Sequence, residues 1–538
     1  MGEKCRSLTG FATGETARRR RAVCYYPFTP AGLPFPGSLR VRQSSHHLLP
    51  ARILAYVSFQ KYDNDSEGLP APNRFGNGAK NHRYLVAVAG LTGAVEIKAR
   101  QVKVKCMSDD QDHGFETDAL HVGQEEPDAE TRSRAPPLYQ TTSYVFEDAE
   151  DAAKQFALEK PGHIYSRLMN PTVGMLQERL AALEGGVGAV ATASGMASLN
   201  LATFLLADVG DNVVTASSLY GGTYTYYTHT APRNGVETRF VDTLDYDAYA
   251  EAIDENTAYV HCETIGNPSL VTPDFERLAE IAHDHGVPFF VDNTFATPYL
   301  CNPIEHGADL VWNSTTKWIH GHGTTVGGVL VDGGSFPWEE HADKYPEIAG
   351  DNPAYHGVNF RERFEDAAFT YAAIARGLRD LGCQQSPFDA WQTMQGLETL
   401  PARMDRHCDN AMGVAEFLAD HPEVSWVTYP GLEDHETHDT ASEYLDGGYG
   451  GMITFGLEAG YDAARTTVES TEIASLLANV GDAKTLIIHP ASTTHQQLTD
   501  EEKAAAGVTD DMVRLSVGTE SVEDIKADLD QAIGQATN

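Results

Sequence analysis

Lys317 closes the run Asp309-Leu-Val-Trp-Asn-Ser-Thr-Thr-Lys317, a short apolar segment that ends in hydroxyl residues and an amine. Asp292 closes another such run, Phe289-Phe-Val-Asp292, and is followed by Asn293 and Thr294. Both runs have the length and the aromatic and β-branched content of buried strands. An amine condenses with an aldehyde to an imine, and a carboxylate holds a pyridine nitrogen protonated. Side by side at strand ends, the two form the minimal apparatus for pyridoxal 5′-phosphate (PLP) chemistry. A lone lysine after a strand is ordinarily a solvated surface residue, so the assignment depends on its companions.

Several companions fit the same cofactor. Ala193-Ser-Gly-Met-Ala-Ser198 lies where a strand turns into a helix. There Gly195 allows close backbone approach, and the free N–H groups of the helix start, at Gly195 and Met196, suit a phosphate. The hydroxyls of Ser314 and Thr316 could serve the same phosphate. Tyr220, before Gly221 and Gly222, could stack on a flat ring, although a half-buried core tyrosine would look the same. Asn267 follows the strand ending at Glu263 and could bond a phenolic or carboxylate oxygen. Tyr165-Ser-Arg167 offers an arginine for phosphate with a hydroxyl nearby. Arg514 in Val-Arg-Leu-Ser-Val-Gly-Thr-Glu520 sits among apolar residues, where a bidentate partner such as an amino-acid carboxylate is called for. Gly321-His-Gly-Thr-Thr-Val-Gly327 has the wrong spacing for a dinucleotide fingerprint and leads into a strand, not a helix.

The elements that must hold these residues alternate. Strands are expected at 188–193, 212–216, 236–241, 257–263, 287–292, 309–314 and 326–331, with helices at 195–206, 221–230 and 273–284. In the last of these, Phe275, Leu278, Ile281 and Ala282 share one face. Such alternation predicts an α/β fold around a mainly parallel sheet, with ligands at the carboxyl ends of the strands. From about 387 the pattern changes to helices at 389–400 and 404–418, strands at 424–429 and 452–456, a helix over 462–478 and a final strand at 512–517. That pattern predicts a smaller α+β domain.

Charge divides the chain elsewhere. Residues 1–106 carry 17 Lys and Arg against 6 Asp and Glu, a net of +11, whereas the remaining residues carry 22 against 71, a net of −49. The first 106 residues, Arg-rich and without sustained periodicity, are expected to be a non-native or disordered extension, with Met107 as the true start; an organelle transit peptide is the alternative. The dispersed acid of the remainder resembles the surfaces of proteins from salt-accumulating halophiles. It argues against nucleic-acid binding. Seven scattered cysteines without a CxxC fit reduced thiols and a cytoplasmic location. No apolar run is long enough for a membrane span.

In chain order, Tyr-x-Arg, Ser-Gly-Met, Tyr-Gly-Gly-Thr, Asn-Pro, Asp-Asn-Thr, Ser-x-Thr-Lys and Arg-Leu-Ser-x-Gly span residues 165–518. This order resembles the Cys/Met-metabolism family of PLP-dependent enzymes, over essentially all of 115–538. The resemblance implies an aspartate-aminotransferase-like fold, with a mainly parallel seven-stranded sheet and a smaller α+β C-terminal domain. It implies an arm at 107–164 that reaches a neighbouring subunit, a PLP-binding domain at 165–386 and a small domain at 387–538. It also implies roles. Lys317 would carry PLP, Asp292 would pair with the ring nitrogen and Tyr220 would stack on the ring. Gly195, Met196, Ser314 and Thr316 would bind phosphate, with Tyr165 and Arg167 reaching in from the neighbouring subunit. Arg514, Asn479 and Tyr139 would take the substrate, and Asn267 would lie near the cofactor O3′. A homodimer or homotetramer follows from a shared site.

Three features resemble O-acetylhomoserine sulfhydrylases within that family. Leu477-Ala-Asn-Val-Gly-Asp-Ala-Lys-Thr-Leu486 puts Asn479 where cystathionine enzymes carry serine, Ile488–Leu498 has the Thr-Thr-His-x-Gln-Leu form, and residues 335–366 form a long Pro- and aromatic-containing insertion. The implied reaction removes a Cα proton through Lys317, expels acetate from Cγ of O-acetylhomoserine and adds sulfide or methanethiol there, with Tyr165 and Tyr220 as candidate proton shuttles. Cystathionine γ-synthase or a γ-lyase of the same family is the alternative, and a non-catalytic binding protein on the same fold is the rival from another class.

Overall fold

The computed structural model describes residues 113–494, 496, 503 and 507–537, and two two-residue strands at Val57–Ser58 and Ala87–Val88 that pair antiparallel. The chain divides into units at Cys106 and Met107. The expectation that residues 1–106 are foreign to the fold falls outside the described residues, apart from those two strands.

Seven strands form the larger sheet: β1 (Gly188–Thr192), β2 (Asn212–Ala216), β3 (Glu237–Val241), β4 (Thr257–Glu263), β5 (Phe289–Asp292), β6 (Leu310–Asn313) and β7 (Gly328–Asp332). Their spatial order is β1-β7-β6-β5-β4-β2-β3. All neighbours are parallel except β7, which runs antiparallel to both β1 and β6. The expected mainly parallel sheet is therefore present. Strands β2, β4, β5, β6 and β7 are buried along their whole length, as continuous apolar runs in a sheet covered on both faces should be.

The helices on this sheet start where capping chemistry dictates. Helix α1 (Pro171–Leu183) begins with Pro171 after Asn170, whose side chain accepts from the Thr172 and Val173 N–H groups. Helix α2 (Gly195–Leu206) is capped by Ser194. Helix α3 (Phe275–Asp284) is capped by Asp274 and buries Phe275, Leu278, Ala279 and Ala282. Ile281, expected on that face, is only half-buried. The helix expected over 221–230 is a short α-turn, Gly221–Thr225, that continues as a π-turn through Tyr226–Thr230.

A second sheet of five strands lies C-terminal: β8 (Val424–Thr428), β9 (Met452–Leu457), β10 (Ser475–Leu476), β11 (Leu486–Ile488) and β12 (Met512–Ser516), in the order β8-β9-β12-β11-β10. Helices α4 (Pro387–Leu397), α5 (Leu400–Ala419), α6 (Tyr461–Ser470) and α7 (Val522–Thr537) belong to this region, with a shorter helix at His438–Tyr444. Arg514 lies on the central strand β12, paired with Thr454 on one side and Ile488 on the other. Two ladders thus set its register.

The helix expected over 462–478 stops at Ser470, and residues 475–476 are a strand. Thr471 is already extended. The next three N–H groups, of Glu472, Ile473 and Ala474, donate to the buried Asp528 carboxylate of α7 at 2.7, 2.9 and 2.9 Å. A carboxylate that satisfies three amides removes the need for helical carbonyl partners. Replacing Asp528 by Ala strands those donors and is expected to lower the unfolding free energy by ~3 kcal/mol. Urea denaturation reads this, and a loss under ~1 kcal/mol would show that water replaces the carboxylate there.

Candidate active site

The carboxyl ends of β4, β5 and β6 open into a cavity of about 380 Å³ that also reaches β12 of the smaller sheet. Lys317, Asp292, Tyr220, Gly195, Met196, Ser314, Thr316, Asn267, Arg514 and Asn479 all line it. Ten of the residues expected at the site from sequence therefore meet in one place, drawn from segments more than 300 positions apart.

Lys317 follows β6 in a tight turn, its N–H bonded to the Ser314 carbonyl and its carbonyl to the Gly321 N–H. Its Nζ donates to Asn479 Oδ1 at 2.5 Å. The Asn479 loop can come this close because Gly481 has φ +75° and packs on the turn. A Cβ there would lie 2.6 Å from the Trp318 nitrogen and 2.9 Å from the Lys317 carbonyl carbon. Burial lowers the Lys317 pKa to about 8, with the Arg514 charge adding to the effect. At pH 7 about a tenth of such amines are neutral, against about three in ten thousand for an ordinary lysine.

Asp292 and Glu263 are in register on β5 and β4. Burial raises the pKa of both carboxyls, and the neighbouring Asp292 raises Glu263 further. Two buried acids this close resist ionising together unless a cation joins them. Asp292 Oδ1 accepts the Thr294 N–H at 2.9 Å, and Thr294 Oγ1 accepts the Ser314 N–H at 2.8 Å, which ties the ends of β5 and β6. Glu263 accepts the N–H groups of Tyr220 at 2.6 Å and Asn267 at 3.0 Å. Asn267 Oδ1 in turn accepts from Arg514 Nη1 at 3.1 Å. The buried Arg514 guanidinium has its pKa lowered to about 10 by desolvation.

Helix α2 presents its first turn to the same cavity. A Cβ on Gly195 would sit 2.8 Å from both Ser314 Cβ and the Trp312 ring, so only glycine lets the helix start approach the end of β6. The Thr316 hydroxyl donates to the Gly327 carbonyl at 3.1 Å and accepts the Gly327 N–H at 3.0 Å. It must rotate off that carbonyl before it can donate to a phosphate. The site thus offers a helix N-terminus with hydroxyls, a buried acid and an amine around one cavity. That donor set fits PLP, an anion and a basic ring nitrogen flanking an aldehyde.

Tyr139, Tyr165 and Arg167 do not line this cavity. Tyr139, expected at the substrate, donates its hydroxyl to Asp128 at 3.2 Å. Tyr165 is 42% exposed, and Arg167 lies over its ring at 5.5 Å while donating to the Arg379 carbonyl. Conversely, Glu263, Thr294, Phe295 and Trp312 line the cavity but had no assigned role in the sequence. Glu263 and Thr294 do lie inside motifs that are visible there. Their task, holding backbone N–H groups, leaves no signature of its own.

Residues 116–534 match the family model of Cys/Met metabolism PLP-dependent enzymes. The chain belongs to that family. It is 52% identical over 420 residues to a homocysteine synthase of Schizosaccharomyces pombe, covering 78% of this chain and 98% of that protein. It is 49% identical over 421 residues to O-acetyl-L-homoserine sulfhydrylase 1 of Thermus thermophilus, covering 78% and 99%. A crystal structure of a provisionally assigned O-acetylhomoserine (thiol)-lyase from Campylobacter jejuni, which carries a pyridoxyl-lysine phosphate, superposes with a TM-score of 0.76 at 40% identity, covering 78% of this chain and all of that one. The aspartate-aminotransferase-like PLP fold and the PLP dependence expected from sequence hold for this family member.

The lowered lysine pKa gives a direct check. In the cofactor-free protein, the rate of Lys317 modification by an amine-directed acylating reagent, followed by peptide mass spectrometry, is expected to rise with a midpoint near pH 8. Arg514→Met removes the secondary, repulsive cause and should move the midpoint upward. A midpoint in the ordinary lysine range would mean that Lys317 is solvated.

Proposed function

We propose that this chain is an O-acetylhomoserine sulfhydrylase (O-acetylhomoserine aminocarboxypropyltransferase). It replaces the acetyloxy group on Cγ of O-acetyl-L-homoserine by sulfide, or by methanethiol, giving L-homocysteine or methionine and acetate. The observation that carries the reading is the meeting of a buried amine of lowered pKa, Lys317, with a buried guanidinium, Arg514, beside a matched acid, Asp292. The relatives named for this activity, about half identical over nearly their whole length, support the choice of reaction.

Bound PLP supplies an electron sink for the pair released when a substrate C–H bond breaks. Lys317 would hold its aldehyde carbon, Asp292 would keep a proton on its ring nitrogen, and Tyr220 would cover the ring. Its phosphate would rest on the Gly195 and Met196 N–H groups with Ser314 and Thr316. Arg514 and Asn479 would clamp the substrate carboxylate, with Asn267 near it and the cofactor O3′, so that the Cα proton faces Lys317. The freed Lys317 amine, held toward Asn479, takes that proton. Tyr220 stands at the cavity wall as a candidate relay for the proton that must leave Cβ, with Tyr165 of a neighbouring copy as the other.

A panel of donors and thiols tests the reading. Homocysteine and acetate are expected from O-acetylhomoserine with sulfide, and Lys317→Ala is expected to cost at least ~10³-fold in rate. Release of 2-oxobutanoate regardless of thiol would sink the proposal in favour of a γ-lyase, and cystathionine from added cysteine would favour a γ-synthase. The net charge of −49 over 107–538 supports salt-rich surroundings, and the free thiols of Cys262, Cys301, Cys383 and Cys408 support a reducing cytoplasm. The same assay should therefore run faster in KCl at molar than at tenth-molar concentration, because salt screens the self-repulsion.

The exposed apolar side chains of Leu138, Val145 and Phe156 support a second copy seated on the 107–164 arm. On this reading the catalytic body is 107–538, split near residue 386 into cofactor and small domains, in a dimer or tetramer. Tyr139, Tyr165 and Arg167 would then serve the neighbouring site. Mixing inactive Lys317→Ala with inactive Arg167→Ala should restore activity, up to about a quarter of the wild-type level in a randomly mixed dimer with independent sites. Absence of recovery in exchanged oligomers would show that each chain completes its own site.

A further inference from the structure

Glu184, next after α1, is fully buried, yet it belongs to neither the cavity lining nor any ion pair found among the described residues. The hydrogen bonds its carboxyl accepts come from two amides, and the buried Cys301 thiol lies near enough to feel its charge. Asn293 Nδ2 donates to both of its oxygens at 3.2 Å, and Asn313 Nδ2 donates to Oε1 at 2.6 Å. Asn293 is the residue after Asp292, and Asn313 is the residue before Ser314. Side chains alternate across a strand, so both asparagines point away from the face that Asp292 and Ser314 present to the cavity.

The β5–β6 ladder ends where Asp292 faces Trp312, with one further bond from the Asn293 N–H to the Trp312 carbonyl at 2.8 Å. Beyond it the two chains diverge. From the cavity side, Thr294 Oγ1 spans the gap to the Ser314 N–H. From the rear, Glu184 spans it through both asparagines.

We propose that Glu184 is a positioning residue that fixes, from behind the sheet, the spacing between the strand end bearing Asp292 and the strand end bearing Ser314 and Lys317. The inference rests on the PLP reading of the cavity. PLP is rigid between ring nitrogen and phosphate. A protein that binds both ends gains the full benefit of each only if their anchors are preset at that spacing.

Two observations say how Glu184 does this. Burial pushes its carboxyl up to about 8 while the two amides pull the other way, so burial favours the neutral acid. The amide oxygens of Asn293 and Asn313 are both buried without a hydrogen-bond partner. Asn293 Nδ2 also donates to the Cys301 carbonyl at 2.9 Å, which fixes that amide, so an acid O–H finds its acceptor once the Asn313 amide is turned about its terminal bond. A glutamine, also neutral and of the same length, offers the same donor and acceptor.

The test compares dissociation constants for PLP and for pyridoxal, which lacks the phosphate, read by quenching of intrinsic tryptophan fluorescence. Wild-type protein is expected to favour PLP strongly. Glu184→Asp, one methylene too short to reach both asparagines, should reduce the pyridoxal-to-PLP ratio of dissociation constants at least about fivefold, because the two ends no longer reinforce each other. Glu184→Gln should restore the ratio to within about twofold of wild type. A purely structural glutamate would lower the melting temperature of the Asp variant and leave the ratio unchanged, which would overturn the proposal. So would a Gln variant as impaired as the Asp variant. Failure of wild-type protein to bind PLP at all would instead defeat the functional reading itself.

Discussion

Lys317 and Arg514 share one cavity with Asp292 and Glu263, four ionisable side chains withdrawn from water together. Burying any one of them alone would cost several kcal/mol, and the usual outcome is neutralisation. Each is instead driven toward its neutral form, the acids upward and the amine downward, and the set waits for a ligand that supplies compensating charges. A cationic ring nitrogen suits the acid pair, and an amino-acid carboxylate suits the guanidinium. The rest of the architecture serves to keep these groups apart from water and at fixed mutual distances.

That service is done by strand ends and by main-chain donors. Four parallel neighbours, β4, β5, β6 and β2, stop at about the same level, so their terminal residues converge without long loops. Glu263 spends both oxygens on the N–H groups of Tyr220 and Asn267, and through Asn267 it connects with Arg514 on the other sheet. The acid next to Asp292 therefore also orders the segments that would contact ring and substrate. Electrostatics and geometry are here two consequences of one carboxylate.

Much of this was legible beforehand, because buried parallel strands are short apolar runs bounded by polar residues, and β2 and β4 fall at 212–216 and 257–263 as expected from that pattern. Lys317, Asp292 and Arg514 stood out because a charge that ends or interrupts an apolar strand demands a partner. What was illegible is long-range hydrogen bonding. Helix α6 was extended too far because the acceptor that ends it, Asp528, lies more than 50 positions on. Glu184 went unremarked because its partners are 109 and 129 positions away, and Glu263 because its partners are backbone amides common to every residue. The Thr-Thr-His-x-Gln-Leu segment was read as a family mark, yet of its residues only Thr493 and Thr494, and the backbone of Gln496, lie within the described part of the chain, with Thr494 at the cavity. The place of Tyr139, Tyr165 and Arg167 could not be judged from one chain's strands at all.

The cavity is bounded by two kinds of wall. Asp292 and Arg514 stand on strands, and Lys317 on a turn directly after one, held in register by ladders, whereas Ala478, Asn479, Val480 and Thr494 come from irregular backbone. Exchanging a side chain on the irregular wall alters the width and polarity of the mouth without shifting a single ladder pair. Asn479 is the exception, because it accepts from the Lys317 amine and so ties that wall to the turn after β6. A lineage that kept Asn479 could vary the rest of that wall and inherit the ladder-held groups intact.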